Sequence, residues 1–215
     1  MAEITDSLRK YILYWEGGLS NDPKDTSAAK NPSPYEYKNQ FGWHTNKGIT
    51  YATFKYLSKK LDFEDNAYNF LTMPNNIWDK ILAFGFWNPM LCYKIKSNYI
   101  ANIIVDFAWG SGVTGAKNSL KKYFANKGID VNNISDIVAE LNKEIKSKGE
   151  NIVAMDLINH RKDFLRSLKN FATYGKGWFN RINSLIDFKP LQTKKGIAGI
   201  LIAFFFILLY NKKIK

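Results

Sequence analysis

The 215-residue sequence predicts a mainly α globule with a polar lobe after its first helix and a hydrophobic helix at the C-terminus. Three observations carry this. Apolar residues recur at helical spacing through most of the chain. Residues 19–49 break that period with turn-forming runs, NDPKD and NPSPYEY. The stretch GIAGILIAFFFILLYN, 196–211, is uncharged for sixteen residues between flanking lysines.

The elements follow in order. Leu8, Tyr11, Ile12 and Trp15 form one stripe of a first helix over 7–15, with Asp6 as N-cap and Gly17-Gly18 as its stop. The polar excursion comes next, with room for short strands. Thr50 caps a helix running to Lys60, and Pro74 opens one bearing Ile77, Trp78, Ile81, Leu82 and Phe84. YIANIIVDFAWGSG reads as a buried central helix closed by Gly110 and Gly112, with Asp106 hydrogen-bonded inside it. Amphipathic helices are predicted over 114–126, 135–147 and 152–168, and a shorter one over 177–187. FKPLQTKKG (188–196) is a polar, Pro-containing joint.

A formal charge of +12, mostly from lysine, favours an anionic partner: nucleic acid, an anionic membrane face or a bacterial wall. No nucleic-acid motif accompanies it, so nucleic acid is not expected as a partner. The single cysteine, Cys92, rules out an intrachain disulfide and reads as an apolar filler. Two histidines far apart, His44 and His160, give no ligand cluster, so no metal site is expected. MAEITDSLRK lacks the basic start and apolar run of a cleavable signal peptide. As a helix, 196–211 would be roughly 24 Å long against a hydrocarbon core of ~30 Å, a gap that snorkelling lysines can close. It is expected to be a membrane tail.

The stretch LYWEGGLSNDPKD, 13–25, raises a question of chemistry. Glu16 falls at the C-terminal end of a helix, where the macrodipole disfavours negative charge. Removing that charge should therefore leave the fold unharmed or steadier. A function for Glu16 would explain its position, since lysozyme-type glycosidases hold their acid in a helix–Glu–Gly–Gly arrangement followed by a polar lobe. Gly17 and Gly18 would let a sugar ring approach the backbone. Apolar Ile12 and Trp15 would desolvate the carboxyl, as a general acid needs. Asp22 or Asp25 on the lobe could face it, steadying an oxocarbenium-like transition state or holding water.

Read further, EGGLSNDPKD…HTNKGIT resembles the signature of the glycoside hydrolase family 108 muramidases. Glu16-Gly17-Gly18, Asn21-Asp22-Pro23, Asp25, Thr45 and Gly48-Ile49-Thr50 follow in the family's order. The likeness continues through Asp106, Ala108, Ser111, Gly112, Ala116 and Leu120. It reaches Phe171, Gly175, Gly177-Trp178 and Asn180-Arg181, similar to the close of the accompanying peptidoglycan-binding module. The sequence departs from the pattern at 26–44, where residues are inserted and a Gly-Gly is missing. It departs also at Gly110, where the family has Asn, and at GIDVNNIS, which replaces an Asp-Gly turn.

The resemblance implies a lysozyme-like fold that cleaves the β-1,4 bond between N-acetylmuramic acid and N-acetylglucosamine in peptidoglycan, without cofactors. Glu16 would be the general acid, with Asp25 and Thr45 assisting. Gly17, Gly18, Asp22, Trp43, His44 and Thr50 are the expected substrate contacts. The expected organisation is a catalytic domain over 1–110 and a helical peptidoglycan-binding-like module over 111–187. A basic joint (188–195) and the membrane tail (196–211) follow. A holin or secretion route would bring such an enzyme to the wall. The rivals are a lytic transglycosylase using the same Glu16, and a non-catalytic wall-binding membrane protein.

Overall fold

A computed structural model of the protein describes residues 1–188 apart from Lys24, Thr26 and Ser27. The joint from 189 onward and the apolar segment 196–211 lie outside the described residues. Among those described, no helix is long and apolar enough to cross a membrane.

The architecture is mainly α, as the apolar periodicity predicts, and consistent with the lysozyme-like fold that the resemblance implies. The helices are α1 (Asp6–Trp15), α2 (Tyr51–Leu61), α3 (Ala67–Thr72), α4 (Asn75–Leu82), α5 (Asn98–Ala125), α6 (Ile134–Lys148), α7 (Glu150–Arg166) and α8 (Phe171–Asp187). The polar lobe between α1 and α2 holds a 3-10 turn, Ala28–Lys30, and a hairpin of β1 (Thr45–Asn46) and β2 (Ile49–Thr50). Leu8, Tyr11 and Ile12 of α1 are buried as the stripe requires. Helix α7 packs against both α5 and α8. The buried apolar residues form one cluster that runs from Ala2 to Leu185, so both halves of the chain share a core. Cys92 lies within it, and burial pushes its thiol up from the ordinary range.

Several boundaries differ from the sequence reading, each for a local reason. The N-cap of α1 is Thr5, whose hydroxyl accepts from the Leu8 amide at 3.2 Å; Asp6 instead pairs with Arg9. No glycine caps its other end: Glu16 itself closes α1 in an extended conformation, φ −89° and ψ 134°. The glycine stop of the central helix does appear: Gly112, at φ 71° and ψ 155°, is non-helical and kinks α5 into a first helix from Asn98 and a second that runs to Ala125, as the separate helix expected over 114–126 requires. The expected division at 110/111 lies beside this kink. Beyond α4 the chain makes a π-helical turn, Ala83–Trp87, that buries Trp87 while Phe84 stays exposed. Thr50 does cap α2, accepting from the Thr53 amide at 3.3 Å.

Candidate active site

Glu16 leaves the last turn of α1 and meets the hairpin of the lobe. Lys47 and Gly48, the two residues of the hairpin loop, both have positive φ, 47° and 78°. A two-residue I′ turn demands this, and glycine adopts it without a Cβ penalty. Three side-chain contacts fix the turn. Asn46 Nδ2 donates to the carbonyls of Phe70 (2.7 Å) and Leu71 (2.9 Å), and Trp78 Nε1 donates to that of Lys47 (3.2 Å). Gly48 is thereby pressed onto Glu16: a Cβ there would lie 2.5 Å from Oε2 and 2.7 Å from the carboxyl carbon. The Gly48-Ile49-Thr50 run therefore has three distinct tasks. Glycine leaves room for the carboxylate, isoleucine enters the core, and threonine caps α2.

The other oxygen of Glu16 is held from the far end of the chain. Arg181 on α8 donates from Nη1 to Oε1 at 2.5 Å. The same guanidinium reaches Asp106 Oδ1 through Nη2 (2.7 Å) and Nε (3.0 Å). Asp106, fully buried in α5, also accepts from Arg161 Nη1, while Arg161 Nη2 donates to the Asp106 carbonyl at 3.2 Å. Two carboxyl groups and two guanidiniums thus alternate from the end of α1 through α8 and α5 to α7. Burial alone would push the Asp106 carboxyl up, but the charges of Arg161 and Arg181 outweigh it and hold the group below its usual range. Burial would likewise lower Arg181, yet Asp106 and Glu16 hold it above the ordinary arginine value.

A cleft of about 450 Å³ opens beside Glu16 and Gly48. Trp109, Phe164 and Trp178 give it an aromatic wall, and Arg161 and Arg181 contribute polar edges. Glu16 is the one carboxylate in its lining among the described residues.

The remaining predicted residues lie elsewhere in the lobe and do not line this cleft. Gly17 and Gly18 are exposed, with open space where a side chain would project. Asp25 is exposed, and its Oδ1 accepts from the Ala28 amide at 3.1 Å to start the 3-10 turn. The Asp22 carbonyl accepts from the Asp25 amide at 3.0 Å. His44, expected to touch substrate, is only 1% exposed. Its Nε2 faces the Asp22 carbonyl (3.1 Å), which can only accept, so Nε2–H donates to it, and Nδ1 lies 3.0 Å from the Thr45 hydroxyl. His44 is thus held as a strut of the lobe and engages the Thr45 hydroxyl. Trp43 is half-buried, donating to the Gln40 carbonyl (3.0 Å) and edge-on to Tyr37. Among the described residues no three His, Cys, Asp or Glu side chains gather as a metal site would require.

Residues 9–112 match the family model for Glycosyl hydrolase 108. The solved structure of Brucella abortus SagA matches with a TM-score of 0.58 at 23% identity, covering 83% of this chain and 89% of that one. Such coverage extends beyond 9–112, so the likeness of fold takes in part of the C-terminal half. No curated protein matches the chain. The matched stretch contains Glu16, Gly48 and Asp106 and stops short of Arg161 and Arg181.

The place of those two arginines beside Glu16 and Asp106 is what sequence reasoning missed, although Arg181 stands in the resemblance. A signal was present. The chain carries four arginines against 27 lysines, and one aspartate, Asp106, inside an apolar run. A buried carboxylate needs a cation, and arginine with its fixed fork is the residue suited to a buried pair.

Proposed function

We propose that the protein is a peptidoglycan hydrolase that cuts the β-1,4 bond between N-acetylmuramic acid and N-acetylglucosamine, with Glu16 as general acid. The observation that carries this reading is the position of Glu16 at the edge of an aromatic-walled cleft, within the stretch that matches Glycosyl hydrolase 108. Glu16 protonates the leaving glycosidic oxygen as the C–O bond breaks. Its Oε1 is occupied by Arg181, so Oε2, the oxygen against Gly48, delivers the proton. Asp25 and Thr45 are assigned an assisting role from the lobe, outside the cleft lining, in steadying the developing cation or holding water. The 1–110 segment supplies the acid, the 111–187 segment serves as a wall-binding module, and the 196–211 segment anchors the enzyme to a membrane.

A second reading has specific support. A lytic transglycosylase needs one carboxylate, because the sugar's own 6-hydroxyl attacks the anomeric carbon in place of water, and Glu16 is the only acid lining the cleft among the described residues. Digestion of purified sacculi tests both. Glu16→Gln keeps the shape and removes the transferable proton, so glycan cleavage should fall by at least ~100-fold. Products ending in reducing muramic acid mark hydrolysis, and 1,6-anhydro ends mark transglycosylation. Wild-type activity in Glu16→Gln would defeat both readings.

A further inference from the structure

We propose that Arg181, which lies outside the stretch matching the hydrolase family, is a positioning residue of the site: it fixes Glu16 Oε1 so that Oε2 is aimed into the cleft. The proposal rests on the reading of Glu16 as general acid.

The geometry that supports it has three layers. The first is the contact itself, Arg181 Nη1 to Glu16 Oε1 at 2.5 Å, between side chains 14% and 17% exposed. The second is what holds the guanidinium. Its Nε and Nη2 both bind Asp106 Oδ1, and Asp106 is in turn clamped by Arg161, whose guanidinium lies 5.1 Å from the Phe107 ring centroid. All of these groups are buried or nearly so, so Arg181 has little freedom to follow a wandering carboxylate. The third layer is the backbone. The Tyr11 hydroxyl of α1 donates to the Arg181 carbonyl (2.8 Å), and Trp15 Nε1 donates to Ser184 Oγ (3.1 Å), which itself donates to the Arg181 carbonyl (2.7 Å). The turn of α8 that carries Arg181 is therefore pinned to the turn of α1 that ends in Glu16. With Gly48 against the other face of the carboxylate, Glu16 is gripped from both sides.

This gives α8 a part in turnover, distinct from any role in holding the wall. The test is steady-state kinetics of the full-length protein on soluble, uncrosslinked glycan strands, comparing wild type, Glu16→Gln, Arg181→Met, Arg181→Lys and the double variant Glu16→Gln/Arg181→Met. Displacing a reacting group by about an ångström costs ~10²-fold, so Arg181→Met should lose about that factor in kcat with KM little changed. Arg181→Lys should fall between, since one ammonium cannot reproduce the forked contacts to Asp106 and Glu16 together. The double variant should be no slower than Glu16→Gln, because the two residues act as one unit. Arg181→Lys keeps a cation beside Asp106 and decides the question if Arg181→Met does not fold. Wild-type kcat in a folded Arg181 variant, a loss confined to KM, or multiplying losses in the double variant would overturn the proposal. A fully active Glu16→Gln would instead remove the reading of the site itself.

Discussion

Replacing Gly48 by alanine perturbs the site through one methyl group, and its consequences can be worked from the geometry. An alanine Cβ would stand 2.5 Å from Glu16 Oε2, where ordinary contact begins near 3.4 Å, so the carboxylate must retreat by about 0.9 Å. Because Arg181 holds the carboxylate and Cγ too would lie 2.8 Å from the new Cβ, the retreat strains that pair and adds to the loss of stability. It also moves the reacting oxygen by the distance that typically costs ~10² in rate. The backbone contributes separately: alanine at φ +78° costs about 1–2 kcal/mol, or about 2–8 °C in Tm for a chain of this size. Gly128, in the loop between α5 and α6, separates the two effects, because it has φ +72° and open space around it. Gly128→Ala should therefore lose only the backbone share of the stability that Gly48→Ala loses, and turn over soluble glycan at the wild-type rate. The reasoning fails if Gly48→Ala keeps wild-type kcat, or if Gly128→Ala slows the enzyme equally.

Two further outcomes follow from the buried charges and from the tail. Asp106→Asn leaves Arg161 and Arg181 without their shared counter-charge and should cost about 3–5 kcal/mol in urea unfolding. Because the folded-state pKa of Asp106 is depressed, the stability it gives is complete above the ordinary aspartate value of ~3.9 and is lost as pH falls through the lower folded value. Acid unfolding curves of wild type should show that loss, and Asp106→Asn should show less of it. Removing 196–215 should move the protein from the membrane fraction to the soluble one with turnover on soluble wall fragments unchanged. A truncated protein that stays with membranes would refute the anchor.

The helices were legible in the sequence because amphipathic periodicity is local: Leu8, Tyr11 and Ile12 declare the inner face of α1 whatever lies elsewhere. Thr50 was legible as a cap for the same reason. The glycine stop is legible too, since Gly112 breaks the helical backbone there, and Ala116 and Leu120 of the next helical stretch then fill the same core. At the site, Glu16 stands out through its unfavourable helix-end position, and Gly48 through a motif, but the contact between them depends on how the hairpin is hung from Phe70, Leu71 and Trp78. Arg181 was illegible as a partner of Glu16, 165 residues away, because no local pattern encodes a contact across that separation. His44 reads as a polar lobe residue until its burial and both of its ring contacts are seen.

The same contact reverses one expectation about Glu16. The sequence alone predicts that neutralising a carboxylate at the C-terminal end of α1 relieves a clash with the helix dipole, a gain of about 0.3–1 kcal/mol. The structure adds a term of opposite sign, because Arg181 already answers that charge at 2.5 Å from a largely buried position. A hydrogen bond between charged groups contributes about 1.5–3 kcal/mol, more than the dipole returns. Glutamine can still accept from Arg181, but as a neutral partner, so part of that contribution survives. Glu16→Gln should therefore be less stable than wild type by about 1 kcal/mol in urea unfolding at neutral pH. It should remain well above Asp106→Asn, which strips the deeper carboxylate from both guanidiniums. Were Glu16→Gln steadier than wild type, the pair with Arg181 would contribute nothing to the fold. The helix-end charge would then be tolerated for chemistry alone.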